Sequence, residues 1–320
     1  MLNEVVDLLI SSKNVAVYTH INVDCDAMGS SLAMKEALTS LGKQVDVYVN
    51  SSFPSNFDFY GNLDFVNKKT CEKYDLVICL DAATEARLGK YKYTYRKGVK
   101  NTLAIDHHHL ANENFCKVNY VKESSSTSEM LFEVFKKLNI RFNEYMCKCL
   151  LSGILTDTGR FSHSTTEATL SVVGKLLRYG HLSLEEIVLP LFNSMGQNVF
   201  ELMKRAYNNI EFYSEGKFAI IMFSRQDFVE TNTSLDDTDA FPDIPLQLKS
   251  VEFAILASED DKGYFRVSFR SKGDVSARDV AESFGGGGHL NASGCKLFGS
   301  FDEVKQKLIE SSLEILKWKK

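Results

Sequence analysis

DLVICLD, residues 75–81, sets five apolar residues in a row between two aspartates. A strand with one wet face alternates apolar and polar side chains, whereas an unbroken apolar run of this length suits a strand buried on both faces, as in a parallel sheet covered by helices. Working outward, NVAVYT (14–19) and TLAID (102–106) have the same character, and KQVDVYV (43–49) reads as a further strand. Ahead of KQVDVYV lies SLAMKEALTSLG (31–42), a helical pattern stopped by Gly42. Strands and helices in alternation predict an α/β fold with a doubly wound, mainly parallel sheet. Ligands of such sheets bind beyond the carboxyl ends of the strands. There this chain places its polar residues: HINVDCD (20–26) after the first strand, Asp81 after DLVICL, and DHHH (106–109) after TLAI.

From 126 to 213 the pattern is helical, and after Lys217 strands return in FAIIMFS (218–224), VEFAILASED (251–260) and GYFRVSFRS (263–271). A helix at 276–284, a glycine run and a terminal helix from Phe301 complete a smaller α/β domain. The predicted organisation is a first domain at 1–195, a helical connection or hinge at 196–214, and a second domain at 215–320. A length of 320 residues agrees with two domains of roughly 150 each. With 44% hydrophobic residues and 4 Pro, the composition is that of a globular protein and excludes disordered and fibrous classes. No apolar run nears the ~20 residues of a membrane span. MLNEVVDLLI (1–10) lacks the basic start of a signal peptide, so a cytoplasmic protein with no membrane role is expected. The 7 Cys show no CxxC, which predicts reduced thiols, and the CxC of Cys147 and Cys149 falls in a helical run where core packing is expected.

Lys and Arg number 37 against 42 Asp and Glu, a formal charge of −5. That balance argues against a long polyanion, although clusters inform more than totals. The basic and aromatic KYKYTYRKG (90–98) reads first as an exposed hairpin or loop whose aromatic stems cover the sheet, with contact to RNA as the second reading.

The acidic and histidine residues are unevenly placed. His20, Asp24 and Asp26 crowd one turn, and carboxylates joined by an imidazole suit Mn²⁺, Mg²⁺ or Fe²⁺ better than Zn²⁺. Taken alone, these aspartates read first as helix caps and second as ligands. Three consecutive histidines at a strand end have no packing rationale. Asp81 in CLDAA and Asp157 in LTDTGRF add carboxylates that could also terminate a strand or cap a helix. Jointly, four segments offering Asp or His at one sheet edge point to a two-metal centre. Asp24, Asp26, Asp81 and Asp157 bring four negative charges, which two divalent cations would neutralise. Paired ions about 3.5–4 Å apart serve displacement at phosphorus, activating water and offsetting the charge on the phosphoryl oxygens.

The motifs resemble the DHH family of phosphoesterases, named for the triplet that stands here as Asp106, His107 and His108. HINVDCDAMGS resembles the first family motif, LDAA the second, DHH the third and TDTGRF the fourth, in order, and VSFRS with FGGGGHLNASG resembles the associated DHHA1 substrate domain. The pairing is most similar to the nanoRNase type, the oligoribonuclease and pAp phosphatase branch. The resemblance implies two divalent ions, Mn²⁺ first with Mg²⁺ or Co²⁺ as alternatives. One would be held by His20, Asp24 and Asp81, the other by Asp26, Asp81, His107 and Asp157. It further implies that His108 faces the scissile phosphate and that Asp106 orients a histidine. The role of His109 stays open. Cys25 stands where the family commonly has Gly and Val23 where it commonly has Pro, which leaves metal preference and sensitivity to oxidation open.

Gly285 to Gly288, followed by His289, form a stretch without side chains to keep a ligand from backbone N–H groups. Arg270 offers bidentate phosphate contact, and Arg266 shares its strand face four residues away. The resemblance implies that Arg270, Ser271, Gly286, Gly287, Gly288 and His289, with Arg266 secondary, grip the phosphate or sugar end of a short nucleotide. The expected function is Mn-dependent hydrolysis of short RNA oligonucleotides to mononucleotides and of pAp to AMP, with a homodimer as a further expectation. Alternatives are a phosphodiesterase for linear pApA, a manganese pyrophosphatase, which GGGGH disfavours, and a non-catalytic nucleotide or metal sensor, which the full set of ligands disfavours.

Overall fold

The computed structural model describes residues 1–317 apart from 51, 52, 54, 109–113, 239 and 289. His109 and His289 therefore lie outside the described residues. The apolar runs of the first half form β1 (Asn14–Tyr18), β2 (Gln44–Tyr48), β3 (Leu76–Leu80) and β4 (Asn101–Asp106), joined by β5 (Val118–Val121). All pair in parallel in the order β2-β1-β3-β4-β5. Every residue of β3 is buried, as its unbroken apolar run requires. The strand order reverses between β1 and β3, so a crevice opens at their carboxyl ends.

The helices of this unit are α1 (Leu2–Ser11), α2 (Cys25–Ser40), α3 (Thr127–Lys137), α4 (Glu144–Asp157), α5 (Glu167–Gly180) and α6 (Glu185–Phe192). Two glycines let α2 and α4 approach closely. A Cβ at Gly29 would run into the Cys149 carbonyl, and one at Gly153 into Ser128 and Asp26. Cys147 and Cys149 are fully buried in the core of this unit, and Val23 and Cys25 join the same apolar cluster. Among the described residues, no helix is long and apolar enough to cross a membrane.

The chain divides into two units, Met1–Ser194 and Met195–Lys320. Residues 196–214, read from the sequence as a connection, belong to the second unit. Leu202 and Ala206 of α7 (Gln197–Asn208) are buried with Phe223, Phe228 and Phe241, which makes this helix a layer of that unit. The sheet here comprises β6 (Glu211–Tyr213), β7 (Phe218–Phe223), β8 (Phe253–Glu259), β9 (Phe265–Ser271), β10 (Gly287–Gly288) and β11 (Ala292–Leu297), in the order β10-β11-β9-β8-β7-β6. It is mixed, with β7 and β8 parallel and the other pairs antiparallel. Alternate residues of β7 serve two cores: Phe218, Ile220 and Met222 face one, and Ile221 and Phe223 face the side of α7 and α8 (Arg225–Thr231). Residues of α9 (Ala277–Ser283) and α10 (Phe301–Ile315) complete the former core.

Candidate metal centre

Asp24 is the N-cap of α2, its Oδ1 accepting from Ala27 N at 2.9 Å. The capping and metal readings of this residue are compatible, because its other oxygen, Oδ2, stands 3.5 Å from His20 Nε2. The same Nε2 is 3.5 Å from Asp81 Oδ2. His20 Nδ1 is engaged by the Ile21 carbonyl, so in the neutral ring the lone pair of Nε2 points at the two carboxylates. Asp81 follows β3 with φ of 56°, a left-handed conformation that turns the chain sharply at the strand end. Its Oδ1 lies 3.4 Å from His107 Nε2, which in turn is 3.1 Å from Asp157 Oδ2. Asp157 is the last residue of α4.

Asp26 is fully buried and spans the N-terminus of α3, accepting from Thr127 N at 2.7 Å and Ser128 N at 2.9 Å. Two amide donors and the positive end of the helix hold this carboxylate in place. Thr127 Oγ1 donates to Asp81 Oδ1 at 3.1 Å. These supporting contacts, and the room for Asp26 that Gly153 leaves, are absent from the sequence reading. The run SSSTSE (124–129) carried a signal, since Ser126 caps α3 by accepting from Glu129 N.

Three groups of side chains place their ligand atoms within 4.8 Å of one another: His20, Asp24 and Asp81; Asp26, His107 and Asp157; and Asp81, His107 and His108. Asp81 and His107 each belong to two of them. The electrostatics reflect the crowding. Burial pushes Asp26 well above the usual carboxylate range, and Asp157 and Asp81 push it further. Burial likewise lifts Asp157 to about 6, Asp24 and Asp81 adding to the rise and His107 opposing it. Burial would lift Asp81 as well, yet the adjoining imidazoles of His107 and His20 outweigh it and hold the group below its ordinary value. Burial disfavours charge on His20 and His107, but Asp24 and Asp81 raise the former to about 10, and Asp157 and Asp81 the latter to about 11.

His108 stands apart in its bonding. Its Nδ1 pairs with Asp106 Oδ1 at 2.8 Å, and Asp106 also accepts from His108 N at 2.8 Å and Ala83 N at 2.6 Å. Asp106 thus fixes the ring of His108, whose Nδ1 also lies 3.4 Å from Asp81 Oδ1, while His107 stands between Asp81 and Asp157. Burial raises the Cys25 thiol to about 12, and the Tyr60 hydrogen bond opposes the rise only in part.

In the second unit, Arg270 NH1 donates to Phe269 O at 3.1 Å, and its Nε lies 3.8 Å from Asp243. Arg266 donates to Asp236 and to the Leu235 carbonyl. The Ser271 hydroxyl is engaged by Val275 O and Asn291 Nδ2. The glycine run is more structured than a loop. Gly285, at φ 73°, closes α9: its N–H donates to Glu282 O at 2.9 Å, and Gly286 N–H donates to Ala281 O at 2.8 Å. Gly287 and Gly288 form the edge strand against β11 and are exposed.

Residues 14–154 match the DHH family, N-terminal domain, and residues 216–317 match the DHHA1 domain. The chain carries a DHH domain followed by a DHHA1 domain. A relative from Bacillus subtilis, the bifunctional oligoribonuclease and PAP phosphatase NrnA, is 29% identical over 321 residues, which cover 97% of each chain. An exopolyphosphatase-related protein from Bacteroides fragilis superposes with a TM-score of 0.90 at 26% identity, over 99% of this chain and 97% of that one. The exonuclease RecJ bound to manganese shares the fold at a TM-score of 0.56 and 12% identity, over 99% of this chain and 94% of that one.

Proposed function

We propose that this chain is a metal-dependent phosphoesterase that hydrolyses short RNA oligonucleotides to mononucleotides and pAp to AMP. The observation that carries the reading is the convergence of four carboxylates on His20 and His107, with His107 Nε2 buried and without a hydrogen-bond partner although carboxylate oxygens lie 3.1 and 3.4 Å away. A buried nitrogen in that position wants a cation. Oxygen and imidazole donors fit a divalent ion of the Mn²⁺ or Mg²⁺ kind, and the high thiol pKa of Cys25 does not favour a thiolate ligand. We assign one ion to His20, Asp24 and Asp81, and the other to Asp26, Asp81, His107 and Asp157, with Asp81 shared. Two such ions lower the pKa of water and offset charge on phosphoryl oxygens.

The protein's own groups supply the rest. Thr127 and Ser128 hold Asp26 through their amides, and Thr127 Oγ1 steadies Asp81. Asp106 orients His108, whose Nε2 contacts the scissile phosphate and gives a proton to the leaving oxygen as water attacks phosphorus and the P–O bond breaks, the proton lost by that water passing to solvent, from which His108 is reprotonated. We assign nucleotide binding in the second unit to Arg270 and the backbone of Gly286, Gly287 and Gly288. Ser271 shapes the loop that Asn291 ties together. The relative's printed activities support this substrate class, and the formal charge of −5 agrees with short substrates rather than long polyanions.

Parallel turnover assays on an RNA dinucleotide, pAp, pApA and pyrophosphate test the proposal. Mn²⁺ is expected to support hydrolysis of the dinucleotide and pAp, and chelation to abolish it. Turnover of pyrophosphate alone, or of no substrate, overturns the reading.

A further inference from the structure

Residues 87–100 hold six of the chain's Lys and Arg, namely Arg87, Lys90, Lys92, Arg96, Lys97 and Lys100, and no Asp or Glu, in a protein whose charge is −5. This segment is neither a hairpin nor a free loop. A 3₁₀ helix, Glu85–Tyr91, runs into consecutive turns, and alternate tyrosines anchor them. Tyr91 packs on Tyr18 and Tyr48 at ring distances of 5.1 and 5.7 Å. Tyr95 is buried and donates to the Phe115 carbonyl at 3.0 Å. Tyr93, between them, faces the other way and is 80% exposed, more than any other large hydrophobic residue described. Lys92 Nζ lies over its ring at 4.6 Å.

Within this segment Arg96 is paired with Glu85 at 2.9 Å, while Lys90, Lys92 and Lys97 have no carboxylate partner among the described residues. The segment is joined to the metal centre. Ile21 N donates to Arg87 O at 2.8 Å, and the Ile21 carbonyl engages His20 Nδ1. Asn50 bonds both Leu88 O and Lys90 N. Gly89 has φ of 56°, and a Cβ there would run into Ile21. A largely uncompensated basic surface bearing an aromatic ring in solvent is thus hydrogen-bonded to Ile21, the residue next to the proposed metal ligand His20. Stacking on an exposed ring flanked by cations is how single strands are held without sequence preference.

We propose that residues 87–97 are a platform for single-stranded RNA, where Tyr93 stacks a base and Lys90, Lys92 and Lys97 hold backbone phosphates. An oligonucleotide cleaved at the metal centre is then also held beyond its scissile end, which favours substrates of several nucleotides over dinucleotides. This rests on the phosphoesterase reading for the role of the platform, but its binding of RNA is measurable separately.

Two measurements decide it. In the first, kcat/KM is compared for an RNA dinucleotide and hexanucleotide. Tyr93→Ala is expected to lower the hexamer-to-dimer ratio about tenfold, and Tyr93→Phe to restore it. In the second, binding of a labelled hexamer is followed in an Asp157→Ala background at several salt concentrations. Adding Tyr93→Ala is expected to weaken binding about tenfold, and Lys90→Glu with Lys97→Glu to reduce the salt slope by about 1.4. A wild type that cleaves neither RNA sinks the proposed function, while the binding measurement still judges the platform. Cleavage of both RNAs, with ratio, affinity and salt slope unmoved by the substitutions, sinks the platform alone.

Discussion

The first unit draws its ionisable side chains from separate segments, after β1, after β3, after β4, at the start of α2 and at the end of α4, and sets them within ligand distance of one another. The second unit takes Arg266 and Arg270 from one strand, four residues apart, and gives each a local partner. The first arrangement concentrates like charge, and the carboxylates that cannot be satisfied hold protons on His20 and His107. The second is already compensated. Burial raises Asp243 while Arg270 opposes the rise, so the carboxylate beside Arg270 is a weak competitor for a phosphate. One site therefore gains from a cation, and the other must exchange a weak anion for a stronger one.

Removing the shared carboxylate breaks that contrast most directly. Asp81→Ala is expected to lower dinucleotide turnover by about 1,000-fold or more, with an unchanged circular dichroism spectrum. Near-normal turnover would leave the cluster without a catalytic role. Proton competition comes next. His20 and His107 are held protonated up to about 10 and about 11, and Asp157 up to about 6, so each must lose its proton before it donates a lone pair. Affinity for Mn²⁺ should therefore rise with pH, by about tenfold per unit for each proton displaced. Calorimetry in buffers of different ionisation enthalpy counts those protons, and an affinity flat between pH 6 and 8 would contradict the scheme. Gly153→Ala pushes a methyl into Asp26 and Ser128 and is expected to weaken Mn²⁺ binding about 10- to 100-fold, read by the same titration. The smallest effect is on the compensated side: Arg270→Ala should raise the KM for pAp about tenfold with kcat changed less.

Much of this was legible in the residues. Continuous apolar runs identify buried parallel strands because such a strand has no wet face, and Asp81, Asp106 and His107 stand out because they interrupt those runs at strand ends. Asp24 was ambiguous between cap and ligand, and in the structure one oxygen caps α2 while the other stands beside His20. The amides that hold Asp26 belong to residues 101 and 102 positions away, so no local pattern reports them. In KYKYTYRKG the sequence shows cations and aromatics but not which tyrosine is anchored. Helical turns, rather than strand alternation, send Tyr91 and Tyr95 inward and Tyr93 out.

The sequence by itself determined the residue types and their order: carboxylates and imidazoles at the ends of apolar strands, a basic aromatic segment, a glycine run after a helix. Only the tertiary structure decided which oxygen caps a helix and which faces a histidine, which ring of the DHH triplet stands between Asp81 and Asp157 and which is tied to Asp106, and that the glycines form an edge strand. Strand type is a property of neighbours in the chain, set by burial and periodicity. The site depends on parallel register bringing strand ends to one edge and on two glycines letting α2 and α4 approach, and those are contacts between residues far apart in sequence.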